Sequence, residues 1–296
     1  MDAVTSPDSS PRIVFIDVDG TILEHGSVIA PSTVTAIRAA RRGGAIVYLC
    51  TGRSAGDIHP AVREIGFDGV VSNGGAFAVR IDADGTEEQL VSHLMPRAAT
   101  ERMIGYFEDH GIHYFLQTDD GVHASEGVGA AADEFFRQGR ERHTEDLRAL
   151  GLDDDDAPLP AISYRPLGEV DLDQVAKATF ISAGSDTLAH AQRELGDTFH
   201  VIPGSIPMPG GSNGEIALLG VNKGSAILEV LEILGIDASD AVGIGDSWND
   251  VEMFEVVGTA VAMGGADPDL QAKADFVTSG VLDDGVHRAL VRVGLV

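Results

Sequence analysis

A single cysteine, Cys50, in 296 residues has no partner for an intrachain disulfide and excludes a cysteine-rich metal cluster. That usage fits a reducing compartment, and Cys50 itself reads as a buried core residue. Basic residues are also scarce, with 20 Lys and Arg against 47 Asp and Glu and a net charge of −27. The averaged field of such a chain repels nucleic acid and anionic membrane surfaces. No uninterrupted apolar stretch reaches the ~18 residues of a membrane-spanning helix. The first ten residues, MDAVTSPDSS, lack the basic start and apolar run of a signal peptide. The expectation is a cytoplasmic protein, monomer or homodimer, with no nucleic-acid or membrane partner and a flexible N-terminus over residues 1–10.

What is present is apolar material for two cores, 44% of the chain. The run IVFIDV over 13–18 stops at Asp19-Gly20-Thr21, as a buried parallel strand stops at its carboxyl end. Pro31-Ser32 opens a helical pattern that ends near Gly43-Gly44, and 45–50 reads as the next strand. A helix over 55–65, a strand over 69–72 and the turn Asn73-Gly74-Gly75 follow. Three parallel strands at this spacing predict a doubly wound, Rossmann-like α/β core, whose ligands sit beyond the carboxyl ends of the strands. Residues 83–215 mix strand-like and helical pieces and read as an inserted α+β cap. The core then comprises 11–82 and 216–296, with β/α rhythm resuming at Lys223: helix 223–234, strand 241–245, helix 249–256, strand 259–262 and a last helix near 284–293.

Four separated segments fall at predicted strand ends or helix starts, positions that converge in a doubly wound sheet. Asp17-Val18-Asp19-Gly20-Thr21 sets two carboxylates at a strand end. Thr51-Gly52-Arg53 offers a hydroxyl and backbone N–H groups to phosphate oxygens. Val221-Asn222-Lys223-Gly224 places a lysine where a helix begins. Gly245-Asp246-Ser247-Trp248-Asn249-Asp250 adds a carboxylate and, one turn on, an Asn-Asp pair; hard oxygen ligands of this kind suit Mg²⁺. Each segment alone is also what a turn or a surface charge looks like. Their order and spacing together are specific.

With FIDVDGTI at 15–22, TGR at 51–53, SNGG at 72–75, GVNKG at 220–224, GDSWND at 245–250 and the looser AMGGADPDLQAKADFVT at 262–278, the chain resembles the haloacid dehalogenase superfamily. Within it the similarity is to the Cof-type phosphatases, which carry a large α/β cap between the second and third motifs. The tail departs at Gly265, where those proteins usually have Asn. The resemblance implies Asp17 as nucleophile and Asp19 as general acid and then base. It implies Mg²⁺ held by the carboxylates of Asp17 and Asp246 and the backbone carbonyl of Asp19. Asp250 would orient metal-bound water and Lys223, and Thr51, Lys223 and Asn249 would hold phosphate. The implied reaction is hydrolysis of a small phosphorylated metabolite, a sugar phosphate by expectation, through an aspartyl phosphate. Local positive charge is then required, because so acidic a chain repels its own substrate.

Other readings stay open from the residues alone. A phosphomutase of the same superfamily shares the aspartate pair and a similar cap; a phospho-receiver shares the strand-end Asp, Thr and Lys, but Asp19 and the long insertion argue against it, and four motifs with competent residues argue against a silent binding protein. Arg53 reads equally as a phosphate contact or an outward-facing charge, and Ser72-Asn73-Gly74 as a loop beside the pocket. Trp248 reads as packing on its helix, and His110 and His113 as structural. The Asp153–Asp156 run reads as a solvated loop, and Pro209–Gly214 as a hinge turn.

Overall fold

The computed structural model describes residues 13–24, 27–129, 164–204 and 211–296. The N-terminus over 1–10 and the Asp153–Asp156 run lie outside the described residues.

The strands in chain order are β1 (Ile13–Ile16), β2 (Leu23–Glu24), β3 (Val28–Ile29), β4 (Ile46–Cys50), β5 (Gly69–Ser72), β6 (Phe77–Ile81) and β7 (Glu87–Ser92). There follow β8 (His113–Thr118), β9 (Gly121–Ala124), β10 (Arg165–Pro166), β11 (Lys177–Ser182), β12 (Phe199–Pro203) and β13 (Ser212–Leu218). The last are β14 (Ala241–Gly245), β15 (Thr259–Ala262) and β16 (Phe276–Val277). The longer helices are α1 (Pro31–Arg42), α2 (Arg97–Asp109), α3 (Thr187–Leu195), α4 (Lys223–Leu234), α5 (Val251–Val256) and α6 (Gly285–Arg292).

The large sheet runs β16-β15-β14-β1-β4-β5-β6-β7, parallel through β5 and closed by the antiparallel β6 and β7. Both faces of β1 are buried because helices cover both sides, which is why IVFI reads as an unbroken apolar run. Val14, Ile16, Val47 and Leu49 pack with Ile37 of α1 and Leu290 of α6. Ile13, Phe15 and Tyr48 pack with Ile227 of α4 and Met253 of α5 on the other side. The chain winds from β1 outward through β4 and β5, and later from β14 outward through β15 and β16. The direction of winding therefore reverses between β1 and β14, which opens a crevice at their carboxyl ends.

The second sheet, β10-β9-β8-β11-β13-β12, is the cap. One of its faces packs on α2 and α3 through Phe107, Tyr114, Phe180, Leu195 and Ile216. The expected α/β core with an inserted α+β cap is present. The cut at residue 82, however, falls inside a hairpin: β7 pairs with β6, so the large sheet continues to Ser92. The sequence Glu87-Glu88-Gln89-Leu90 hides this strand because its first residues are exposed on an edge. At the return, β13 pairs with β11 and β12 as far as Leu218, so 216–218 belong to the cap sheet. Ser212, Asn213 and Gly214 are strand rather than hinge turn, while 209–210 lie outside the described residues. The crossings between sheets are thus short, and Phe77, Ala176 and Val221 pack together beside them. The helix expected over 55–65 divides into short turns at Ala55–Asp57 and Pro60–Arg63, because proline lacks the N–H that a continuous helix needs at residue 60.

Candidate active site

Asp17 follows β1 and Asp246 follows β14, so the two carboxylates emerge side by side at the reversal of winding; the Asp17 N–H still donates to the Ile244 carbonyl at 2.9 Å. Gly20, between Asp19 and Thr21, has φ +83°, and a Cβ there would lie 2.1 Å from Asp246 Oδ2. Glycine is thus required twice, for the left-handed backbone and for the close approach of the Asp246 carboxylate. The Thr21 hydroxyl donates to Asp246 Oδ1 at 3.3 Å.

Lys223 is the first residue of α4. Asn222 caps that helix by accepting from the Ser225 N–H (2.8 Å), while Ser225 Oγ accepts from the Asn222 N–H (3.0 Å). A cation is electrostatically misplaced at a helix N-terminus. Three acceptors compensate: Lys223 Nζ donates to Asp17 Oδ1 at 2.6 Å, Asp250 Oδ1 at 2.6 Å and Asn249 Oδ1 at 3.1 Å. The ammonium is 1% exposed, so no donor is left to water. Burial pushes its pKa down, but the carboxylates of Asp17 and Asp250 outweigh burial and hold it well above the ordinary lysine range. Asp250, wholly buried, uses its other oxygen to accept from the Asp246 and Ser247 N–H groups at 3.0 and 3.1 Å. Both of its oxygens are engaged in positioning neighbours.

Oxygens of Asp17, Asp246 and Asp250 lie within 4.8 Å of one another. Burial raises the Asp17 carboxyl well above the usual range, with Asp250 and Asp246 adding to the rise against the pull of Lys223. Burial and then Asp250 push Asp246 up to about 7. Three carboxylates beside one ammonium carry two negative charges in excess when ionised. A divalent cation matches that charge, and an all-oxygen donor set suits a hard ion. The residues present therefore fit a divalent metal.

Thr51, after β4, is 1% exposed; its hydroxyl accepts from the Arg53 N–H at 3.1 Å and keeps its own proton to give. Asn249 Oδ1 accepts from Lys223 and from Ser247 Oγ (2.9 Å). An ammonium offers no acceptor, so the amide oxygen must face it and Nδ2 is left as a donor. That Nδ2 lies 3.6 Å from where a Cβ on Gly52 would stand. Asp19 stands apart, half-exposed, and accepts from Arg53 Nε at 2.7 Å and Nη2 at 2.6 Å.

Asp17, Asp246, Lys223, Asn249 and Thr51 are thus brought to one crevice, with Asp19 at its rim in an ion pair. Arg53, open in the sequence to a phosphate contact or an outward-facing charge, makes the bidentate contact with Asp19 and a bond from Nη1 to the Asp57 carbonyl (3.1 Å). The Asn73-Gly74-Gly75 turn also gains a role. Its Asn73 and Gly74 N–H groups donate to the carbonyls of Arg53 (2.7 Å) and Thr51 (3.0 Å). Gly75 lies so close to α4 that a Cβ would fall 2.1 Å from the Asn222 carbonyl. The turn therefore braces the Thr51 loop against the helix that carries Lys223. Trp248 is 47% exposed rather than packed. His110 Nδ1–H donates to the Tyr106 carbonyl (2.8 Å), a structural contact within the cap. At Gly265 the structure leaves open space where a side chain would stand.

The cap closes the crevice from above. Lys177, His200, Glu215 and Ala217 face Asn222, Lys223, Asn249 and Glu252 across a cleft.

Residues 14–290 match the family model described as haloacid dehalogenase-like hydrolase. The chain is 29% identical to the 5-amino-6-(5-phospho-D-ribitylamino)uracil phosphatase YwtE of Bacillus subtilis over 289 residues, 93% of this chain and 95% of that one. It is 25% identical to the pyridoxal phosphate phosphatase YbhA of Escherichia coli over 93% of this chain and 96% of that one. Its fold superposes on the HAD subclass IIB sugar phosphatase BT4131 with a TM-score of 0.76 at 20% identity, over 96% of this chain and all of the other. A match over nearly the whole length, core and cap together, places this chain in the haloacid dehalogenase-like hydrolase family.

Proposed function

We propose that this phosphatase hydrolyses a small phosphorylated metabolite, a sugar phosphate, in a Mg²⁺-dependent reaction through a phosphoaspartyl intermediate on Asp17. The observation that carries the reading is the buried Asp17–Lys223–Asp250 cluster beside Asp246. It is a strand-end nucleophile held by one lysine, with an uncompensated charge that a divalent ion would balance. Bound there by Asp17, Asp246 and the Asp19 backbone carbonyl, Mg²⁺ would polarise the phosphoryl oxygens and offset their charge.

Asp17 attacks phosphorus with the oxygen not engaged by Lys223, dividing one hard displacement into two easier ones. The Lys223 bond fixes the rotation of that carboxylate. The Thr51 hydroxyl and Asn249 Nδ2 donate to the equatorial oxygens of the transferring group, where charge accumulates. Asp19, half-exposed, takes up a proton from solvent as substrate binds, hands it to the leaving oxygen and later takes one from the attacking water. To do so it must leave its pair with Arg53, and an arriving phosphate gives the guanidinium an alternative partner. Lys223, with all three donors engaged, meets the phosphate once it is attached to Asp17. No helix among the described residues is long and apolar enough to cross a membrane, and the buried free Cys50 suits a reducing cytosol. The test is phosphate release from p-nitrophenyl phosphate. Mg²⁺ should be required, and Asp17→Asn should lower kcat by about a thousandfold or more. Activity that survives the substitution or chelation of the metal would sink the mechanism.

A further inference from the structure

Along β11, β12 and β13 the side chains alternate between two faces. Ala178, Val201 and Ile216 pack among the cap helices. Their neighbours Lys177, His200, Glu215 and Ala217 line the cleft over the core. Lys177 and Glu215 form an ion pair there, with side chains only 4% and 15% exposed. Lys177 Nζ also donates across the cleft to the Gly52 carbonyl at 3.2 Å. A Cβ on Gly52 would lie 3.3 Å from Lys177 Nζ, 3.6 Å from Asn249 Nδ2 and 3.8 Å from Glu215 Oε2. The pair therefore stands against the same loop as the donor assigned to phosphate.

From this placement we infer that Lys177 and Glu215 select the leaving group, recognising a hydroxyl near the ester in a phosphomonoester whose leaving group is otherwise uncharged. The inference rests on the phosphatase reading of the site. Two of the three Lys177 donors are engaged, and the Glu215 carboxylate has no other side-chain partner among the described residues. One N–H and several lone pairs remain, side by side. A hydroxyl both donates and accepts, so it matches such a pair, whereas a carboxylate or second phosphate does not. Glu215 already neutralises Lys177, and Glu252 lines the same cleft, so an anionic leaving group meets net repulsion. Stability alone gives no reason to keep the pair, since apolar residues of similar volume commonly serve as well.

The test uses the full-length protein with Mg²⁺, assayed on a pentose phosphate, a hexose phosphate, phosphoglycolate and p-nitrophenyl phosphate. The wild type should prefer the sugar phosphates to phosphoglycolate. Glu215→Gln should lower the ratio of kcat/KM for sugar phosphate to that for p-nitrophenyl phosphate about 10- to 100-fold, mainly through KM. It should also raise relative activity on phosphoglycolate. Lys177→Gln is the second variant, and thermal unfolding of both separates lost selectivity from lost fold. An unmoved ratio or a parallel fall on every ester overturns the assignment alone; a wild-type preference for phosphoglycolate overturns the assignment and the sugar-phosphate substrate, and leaves the phosphatase reaction standing. Wild-type inactivity on all esters overturns the phosphatase reading and this assignment with it.

Discussion

Lys223 in the core and Lys177 in the cap are both almost wholly buried beside one cleft, but their charge balance differs. Lys223 meets two carboxylates and an amide, with a third carboxylate close by. Lys177 meets one carboxylate and one carbonyl. The core cluster is over-supplied with negative charge, which a cation would complete. The cap pair is neutral by itself, and on the proposed reading a neutral polar group would complete it. A chemical centre and a recognition surface are thus separable by counting charges, even where both use a buried lysine.

The largest break in this comparison comes from Lys223→Met, which leaves Asp17 and Asp250 buried without their ammonium. A loss of about 3–5 kcal/mol is expected from denaturant unfolding of the metal-free protein, together with near-complete loss of phosphate release. Stability unchanged within experimental scatter would show that the cluster is not held by Lys223.

Next in size is a pH effect confined to the core. The folded metal-free protein holds the Asp17 and Asp246 protons more tightly than the unfolded chain does, Asp246 up to about 7. A raised carboxyl pKa stabilises the fold below the unfolded value near 4 and loses that stabilisation as pH rises through the folded value. The metal-free Tm should therefore fall between about pH 4 and about pH 8. On the proposed reading Mg²⁺ would replace those protons, so it should raise Tm more at about pH 8 than at about pH 5. An equal rise at both would place the ion elsewhere.

The smallest effect is expected in the cap. Lys177→Met leaves Glu215 beside an open cleft where water can reach it, so the loss should be about 1–2 kcal/mol. Mg²⁺ should not change that loss, in contrast to Lys223→Met. A Lys177 loss matching that of Lys223 would remove the distinction between the two sites.

Much of the core was legible because its signals are local. IVFI at 13–16 is apolar on both faces, and Lys223–Leu234, Ala241–Gly245 and Thr259–Ala262 fall where the β/α rhythm places them. The edge of the large sheet and the cap were less legible. β7 is exposed over its first residues, β10 has two residues, and β13 opens with Ser-Asn-Gly, a turn composition overridden by pairing on both sides. Arg53 could be read as a phosphate contact or an outward charge and Asn73 only as part of a loop, since the contacts of Arg53 with Asp19 and of Asn73 with the Arg53 carbonyl are not set by adjacency.

By itself the sequence determined the order of the motifs, the two-part architecture and the residue types at the strand ends, because each follows from short-range periodicity and chemistry. Only the tertiary structure decided which side chains neutralise one another. The pairings of Lys223 with Asp17 across 206 positions and of Asp19 with Arg53 across 34 depend on strands brought together by the sheet. So does the meeting of Lys177 with Gly52 across 125, where a cap strand reaches a core loop. Burial then sets the strength of each contact, and burial is a property of the folded chain.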